Sequence, residues 1–89
     1  MSFFNNKVVV VTGGSDGIGR ALVDELLQRG ARVATCARNF DKLYHLRTAH
    51  AGKPLITAAM DVSNENECRI FIDNVIKNYG TIDMLINNA

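Results

Sequence analysis

The residues best placed to do chemistry in this chain lie in one short stretch. TGGSDGIG, Thr12 to Gly19, sets Gly13, Gly17 and Gly19 at GxxxGxG spacing, with Ser15 and Asp16 between them. Such a run offers little side chain and much accessible backbone amide. Where it leads from a strand into a helix, its N–H groups and the positive end of the helix dipole form an anion site suited to phosphate. The flanking residues supply that context. KVVVVT, Lys7 to Thr12, is a β-branched run without polar alternation, the pattern of a parallel strand covered on both faces. Beyond the loop Ile18, Leu22 and Leu26 recur at helical spacing, Ala21, Val23 and Leu27 widen the stripe, and Gly30 supplies a stop. Gly13 would permit the tight turn, Gly17 would let the backbone approach a pyrophosphate, and Gly19 would let the helix lie close to the sheet. The rival phosphate loop, GxxxxGK[ST], fails here because Arg20 and Ala21 stand where Lys and Ser/Thr are required.

Other chemistries find less support. Cys36 and Cys68 are the only cysteines, with no CxxC pair and no histidine at metal-ligand spacing, so both read as reduced, buried small hydrophobes. His45 and His50 are not at i, i+4 and read as exposed or partly packed imidazoles. No metal site is expected. A net charge of +1 without a Lys/Arg cluster makes nucleic acid a poor partner. No apolar run reaches the length of a membrane span, and MSFFNNK does not look like an export signal, so a cytosolic address is expected. With 89 residues, 47% hydrophobic and 21% charged, the chain is globular in composition and holds one domain at most.

The elements that must position the glycine loop follow from the rest of the pattern. Arg32 to Cys36 reads as a second strand and Asp41 to about His50 as a short helix with Leu43 and Leu46 inward, broken by Gly52 and Pro54. Leu55 to Ala59 gives a third strand. Asn64 with Glu67 resembles a capping box opening a helix that runs to Tyr79, with Cys68, Phe71, Ile72, Val75 and Tyr79 inward and Gly80 ending it. Ile82 to Ile86 forms a fourth strand leading into Asn87, Asn88 and Ala89. The order βαβαβαβ implies right-handed crossovers and a parallel α/β sheet. With strand order 3-2-1-4, a crevice opens at the carboxyl ends of strands one and four, where open α/β sheets bind ligands. Both the glycine loop and Asn87 to Ala89 would border it.

Taken together, these motifs resemble the short-chain dehydrogenase/reductase family. TGxxxGIG near the N-terminus is similar to the family's glycine signature, Asp61-Val62 after strand three looks like its acidic adenine contact, and NNA at Asn87 to Ala89 looks like its NNAG motif, cut one residue short. The resemblance covers essentially the whole chain and implies a partial, doubly wound Rossmann fold in which residues 1–89 are the N-terminal part of one NAD(P)-binding domain. It further implies that Gly13, Ser15, Asp16 and Ile18, with Gly17 and Gly19 of the same loop, would meet the cofactor phosphates and ribose. Asp61 would accept from the adenine amino group, Val62 would offer backbone, and Asn88 with Ala89 would line the ribose side. Asn87 would act as a tie across the sheet. Asp61 and Ser63 have a second reading as the start of a helix, since caps use the same residue types.

An NAD-preferring chain carries Asp or Glu at the end of strand two, to bind the ribose 2′-hydroxyl. Ala37 holds that place, and Arg38 follows it. A guanidinium can pair bidentately with a 2′-phosphate, so NADP(H) is expected in preference to NAD(H), although Arg38 also reads as a solvated charge. Asp16 stands where many NADP-preferring relatives have a basic residue, which would leave Arg38 to discriminate alone. The resemblance implies hydride transfer between a carbonyl and an alcohol, carried by a Ser, a Tyr and a Lys in YxxxK. Tyr44 is followed at that spacing by Thr48, and Tyr79 by Asp83, so the chain holds no catalytic residue. It reads as a segment of an oxidoreductase whose full-length form would be a homo-oligomer, with a non-catalytic NADP(H)-binding module or an inactive truncated fragment as alternatives. The edge of strand four and part of one sheet face would be left open.

Overall fold

The computed structural model describes residues 3–88; Ala89, expected at the crevice, lies outside them. Seven elements follow in the order β1 (Val8–Thr12), α1 (Gly17–Gln28), β2 (Arg32–Ala37), α2 (Phe40–Ala49), β3 (Leu55–Ala59), α3 (Glu65–Tyr79) and β4 (Met84–Asn87). The four strands form one parallel sheet in the order β3-β2-β1-β4. Thr12 pairs with Cys36 on one side and Asn87 on the other, so the carboxyl ends of the three strands that border the crevice lie level.

Alternation along β1 divides the core into two layers. Val9 and Val11 join Val33 on one face under Val23, Leu26 and Leu27 of α1 and Leu46 of α2. Val8 and Val10 join Ala34 and Cys36 on the other, under Phe71 and Val75 of α3. Every valine of β1 is buried, which is why the strand reads as an unbroken apolar run. The α3 face is covered less completely. Leu85, level with Val10, points to that side and stays 60% exposed, and β4 is an edge strand.

Three local details depart from expectation, each with a reason. The buried stripe of α1 is Gly19, Val23, Leu26 and Leu27, while Ile18 is 76% exposed and Ala21 is also exposed. The helix turns its glycine toward the protein, which carries Ile18 outward. In α3, Phe71 and Val75 are buried, whereas Cys68, Ile72 and Tyr79 are only half-buried on the margin of the layer. The capping box at α3 is half formed. Asn64 Oδ1 accepts from the Glu67 amide at 3.0 Å, but the Glu67 carboxylate accepts from the Asp61 amide instead of reaching back to Asn64.

β4 begins at Met84, two residues later than the apolar pattern implies. Asp83 takes the preceding position: its amide donates to the Val8 carbonyl at 2.9 Å and its carboxylate accepts from the Val8 amide at 2.8 Å. The pair fixes the register of β4 against β1. At the far end of α2, His50 Nε2 meets the Asp24 carboxylate of α1, while His45 is exposed. Gly80, in the left-handed region at φ 84°, closes α3 with its amide on the Ile76 carbonyl.

Leu46 is fully buried between the helices and the sheet, whereas Tyr44, two residues away on the same helix, is 60% exposed. Leu46→Ala is expected to cost about 2–5 kcal/mol of unfolding free energy, and Tyr44→Ala within about 0.5 kcal/mol of nothing. Chemical denaturation midpoints check this; equal losses would contradict the packing described.

Candidate functional site

The loop after β1 is seated by backbone contacts. Gly13, at φ 68°, turns the chain while its amide still donates to the Cys36 carbonyl at 2.8 Å, extending the sheet pattern by one residue. The Gly14 amide then donates to Thr35 Oγ1 at 3.0 Å, and the Thr35 hydroxyl donates to the Val11 carbonyl. Thr35 is fully buried in β2, so its hydroxyl supplies an acceptor to an amide that would otherwise be buried without one. A Cβ on Gly14 would lie 2.1 Å from that hydroxyl oxygen.

Asp16, in extended backbone, is the N-cap of α1 and accepts from the Gly17 amide at 2.9 Å. Gly17 has φ 54°, and a Cβ there would meet nothing within 4 Å, so the space beside the helix start is open. Gly19 is the opposite case. A Cβ on it would stand 2.1 Å from the Gly13 carbonyl oxygen and 2.6 Å from Asn88 Nδ2. Its small size therefore lets α1 approach the loop's own backbone and Asn88, a nearer neighbour than the sheet body expected from sequence.

β4 braces the other side. Thr12 Oγ1 donates to Asn87 Oδ1 at 2.9 Å, the Asn88 amide donates to Thr12 Oγ1 at 2.9 Å, and Asn88 Nδ2 donates to the Gly13 carbonyl at 3.2 Å. Asn87 is thus the cross-sheet tie its motif implied. Asn88 reaches the turn itself.

Toward β2 and β3 a cavity of about 300 Å³ opens, lined by Gly13, Ser15, Asp16, Cys36, Ala37, Arg38, Asn39, Lys42, Met60 and Val62. Two ion pairs border it. Lys42 Nζ lies 2.5 Å from Asp16 Oδ2, and Arg38 lies 3.0 Å from Asp61 Oδ2. The Lys42 hydrogen bond and the Gly17 amide hold the Asp16 carboxyl below the usual carboxylate range. Asp61 is lowered chiefly by the Ser63 hydroxyl and amide, both donating to Oδ1, with Arg38 adding to the effect. Burial pushes the Cys36 thiol up.

Among the expected site residues, Gly13, Ser15, Asp16, Arg38 and Val62 share this cavity. Gly17, Ile18 and Gly19 form the adjoining helix start, with Ile18 turned to solvent. Asp61 joins through its pair with Arg38, and its turn with Ser63 leads into α3, so the helix-start reading also describes it. Sequence reasoning did not single out Lys42, Thr35 or Gly14. Lys42 could have been found as the residue one helical turn beyond Arg38; Thr35 carried no signal, being one more β-branched residue in a strand.

Thr35→Val preserves shape but leaves the Gly14 amide without its acceptor, and is expected to cost about 1–3 kcal/mol in denaturant unfolding; no loss would contradict the seating described. Because the folded-state carboxyls of Asp16 and Asp61 are depressed, their stabilisation is present above the ordinary carboxylate range and is lost as pH falls through and below it. Thermal midpoints measured from about pH 6 down to about pH 3 should fall less steeply in a D16N/D61N variant than in the unaltered chain. Equal slopes would count against both pairs.

Residues 7–89 match the protein family described as short chain dehydrogenase. The chain is 41% identical over 87 residues to 11-beta-hydroxysteroid dehydrogenase-like 2 of Arabidopsis thaliana, an alignment covering 93% of this chain and 28% of that protein. Among solved structures, L-sorbose reductase from Gluconobacter frateurii, complexed with NADPH and L-sorbose, superposes with a TM-score of 0.89 at 30% identity, covering 97% of this chain and 34% of that one. A short chain dehydrogenase/reductase from Burkholderia phymatum in complex with NAD superposes with a TM-score of 0.88 at 26% identity, covering 96% and 31%. The chain spans little more than a quarter of the length of the Arabidopsis relative. Among the described residues, no helix is long and apolar enough to cross a membrane. With the glycine loop, the 3-2-1-4 sheet and the family match over residues 7–89 in agreement, the chain belongs to the short-chain dehydrogenase/reductase family and carries its dinucleotide-binding Rossmann portion.

Proposed function

We propose that this chain binds NADP(H) in preference to NAD(H), as the N-terminal segment of an oxidoreductase that interconverts carbonyls and alcohols. The observation that carries the reading is the arrangement at the end of β2. Ala37 presents no carboxylate to a ribose 2′ position, and Arg38 lies on the cavity wall with its side chain 77% exposed. A guanidinium so placed can turn to a 2′-phosphate at little cost, since its exposed pair with Asp61 is weakly held.

The residues present fit a dinucleotide. The open space at Gly17 leaves room for a diphosphate against the amides at the start of α1, and that helix end favours an anion. Ser15 and Gly13 wall the cavity between this point and Arg38. On this reading the Asp61 carboxylate, once Arg38 turns away, has Oδ2 available to accept from an adenine amino group, and Val62 lies beside it. Asn88, drawn to the Gly13 carbonyl, keeps the ribose side of the crevice in register with the loop. The nicotinamide ring of a bound cofactor would supply hydride chemistry, and this segment's part is to bind and orient. The similarity to relatives described as steroid dehydrogenases and a sugar reductase supports an oxidoreductase role for the whole protein.

Calorimetric titration of the chain with both cofactors tests the preference. NADPH is expected to bind about tenfold or more tightly than NADH, and Arg38→Gln should narrow that difference severalfold. Equal or tighter binding of NADH by the unaltered chain would contradict it.

A further inference from the structure

Lys42 is a cation in an unusual position. It sits in the first turn of α2, its own amide bound to the N-cap Asn39 at 3.0 Å, where the positive end of the helix dipole disfavours another positive charge. It nevertheless lines the same cavity as Arg38, and its ammonium is drawn across to Asp16 on the glycine loop. The wall of the cavity nearest α2 therefore carries two cations, Arg38 just before the helix and Lys42 one turn into it.

Resting on the NADP(H) reading above, we propose that Lys42 is a second specificity-determining residue for the 2′-phosphate, and that discrimination does not fall to Arg38 alone. Three features support it. The Lys42 side chain is about half exposed, at 49%, and tethered at one end of a flexible stem, so its ammonium can move from carboxylate to phosphate without disturbing the fold. The pair it would give up is solvent-exposed on both sides, with Asp16 at 69%, so the exchange costs little. A doubly charged phosphate between Arg38 and Lys42 would also relieve the repulsion between Lys42 and its own helix end. This eases the difficulty posed by Asp16: the ammonium drawn from its carboxylate toward a 2′-phosphate stays beside both, so the carboxylate does not face the phosphate without a cation nearby.

Binding of adenosine 2′,5′-bisphosphate and of 5′-AMP to the full chain separates this role from a merely structural one. The unaltered chain should bind the bisphosphate more tightly than AMP. Lys42→Gln is expected to lower that ratio roughly five- to tenfold while leaving AMP affinity nearly unchanged, and Lys42→Arg should restore most of it. If Lys42 only tied α2 to the loop, Lys42→Gln would weaken both ligands together and the ratio would stand. A ratio unchanged in Lys42→Gln but collapsed in Arg38→Gln would overturn the role of Lys42 and leave the NADP(H) preference intact. No preference for the bisphosphate in the unaltered chain would overturn that preference, and this inference with it.

Discussion

Position 19 has room for a hydrogen atom and nothing larger. The Gly13 carbonyl oxygen and the Asn88 amide nitrogen occupy the space a side chain would need, and those two groups are themselves hydrogen-bonded. The contact brings the start of α1, the turn after β1 and the end of β4 to one point. It depends on β4 lying beside β1, hence on the chain doubling back after β3, and it depends on Asp83 and Thr12 holding the two strands level at both ends. A larger residue at 19 would push the helix away from the turn and separate the amides from the crevice. The proposed anion site is thus a product of close backbone packing, and the side chains around it modify rather than create it.

Those side chains form a small, self-neutralised set. Asp16 with Lys42 and Asp61 with Arg38 place two negative and two positive groups around one cavity, all four substantially exposed. Exposed pairs contribute little to stability, and for the same reason they rearrange easily. The cavity is therefore balanced in charge yet has two cations that an incoming phosphate can recruit. The buried polar group that matters for the fold is a different one, Thr35, whose hydroxyl links Val11 to Gly14 and so fixes where the turn begins.

Much of this was legible in the residues. The unbroken valines of β1, the glycine punctuation, the apolar periodicity and the capping Asn64 place all seven elements and their order, because each signal is local. The alternation of strands and helices implied the parallel sheet, and the expected 3-2-1-4 order is the one it has. What was not legible depended on rotation and reach. The apolar stripe of α1 points to Ile18; the motif spacing announced a close approach at Gly19, but a glycine has no hydrophobicity with which to show that it takes the inward face and turns Ile18 outward. The late start of β4 reflects an aspartate side chain completing a backbone ladder, which no propensity records. Lys42 was missed because its significance lies in a partner 26 positions away on another element.

The amides between Thr12 and Gly19 are the proposed seat of the diphosphate, and nuclear magnetic resonance reads them one by one. Titrating isotope-labelled chain with inorganic pyrophosphate should shift the amide signals of Ser15 through Gly19 most, at the start of α1, and those of Gly13 and Gly14, already bound to Cys36 and Thr35, less. Shifts confined to other segments, with this stretch unmoved at saturation, would contradict it.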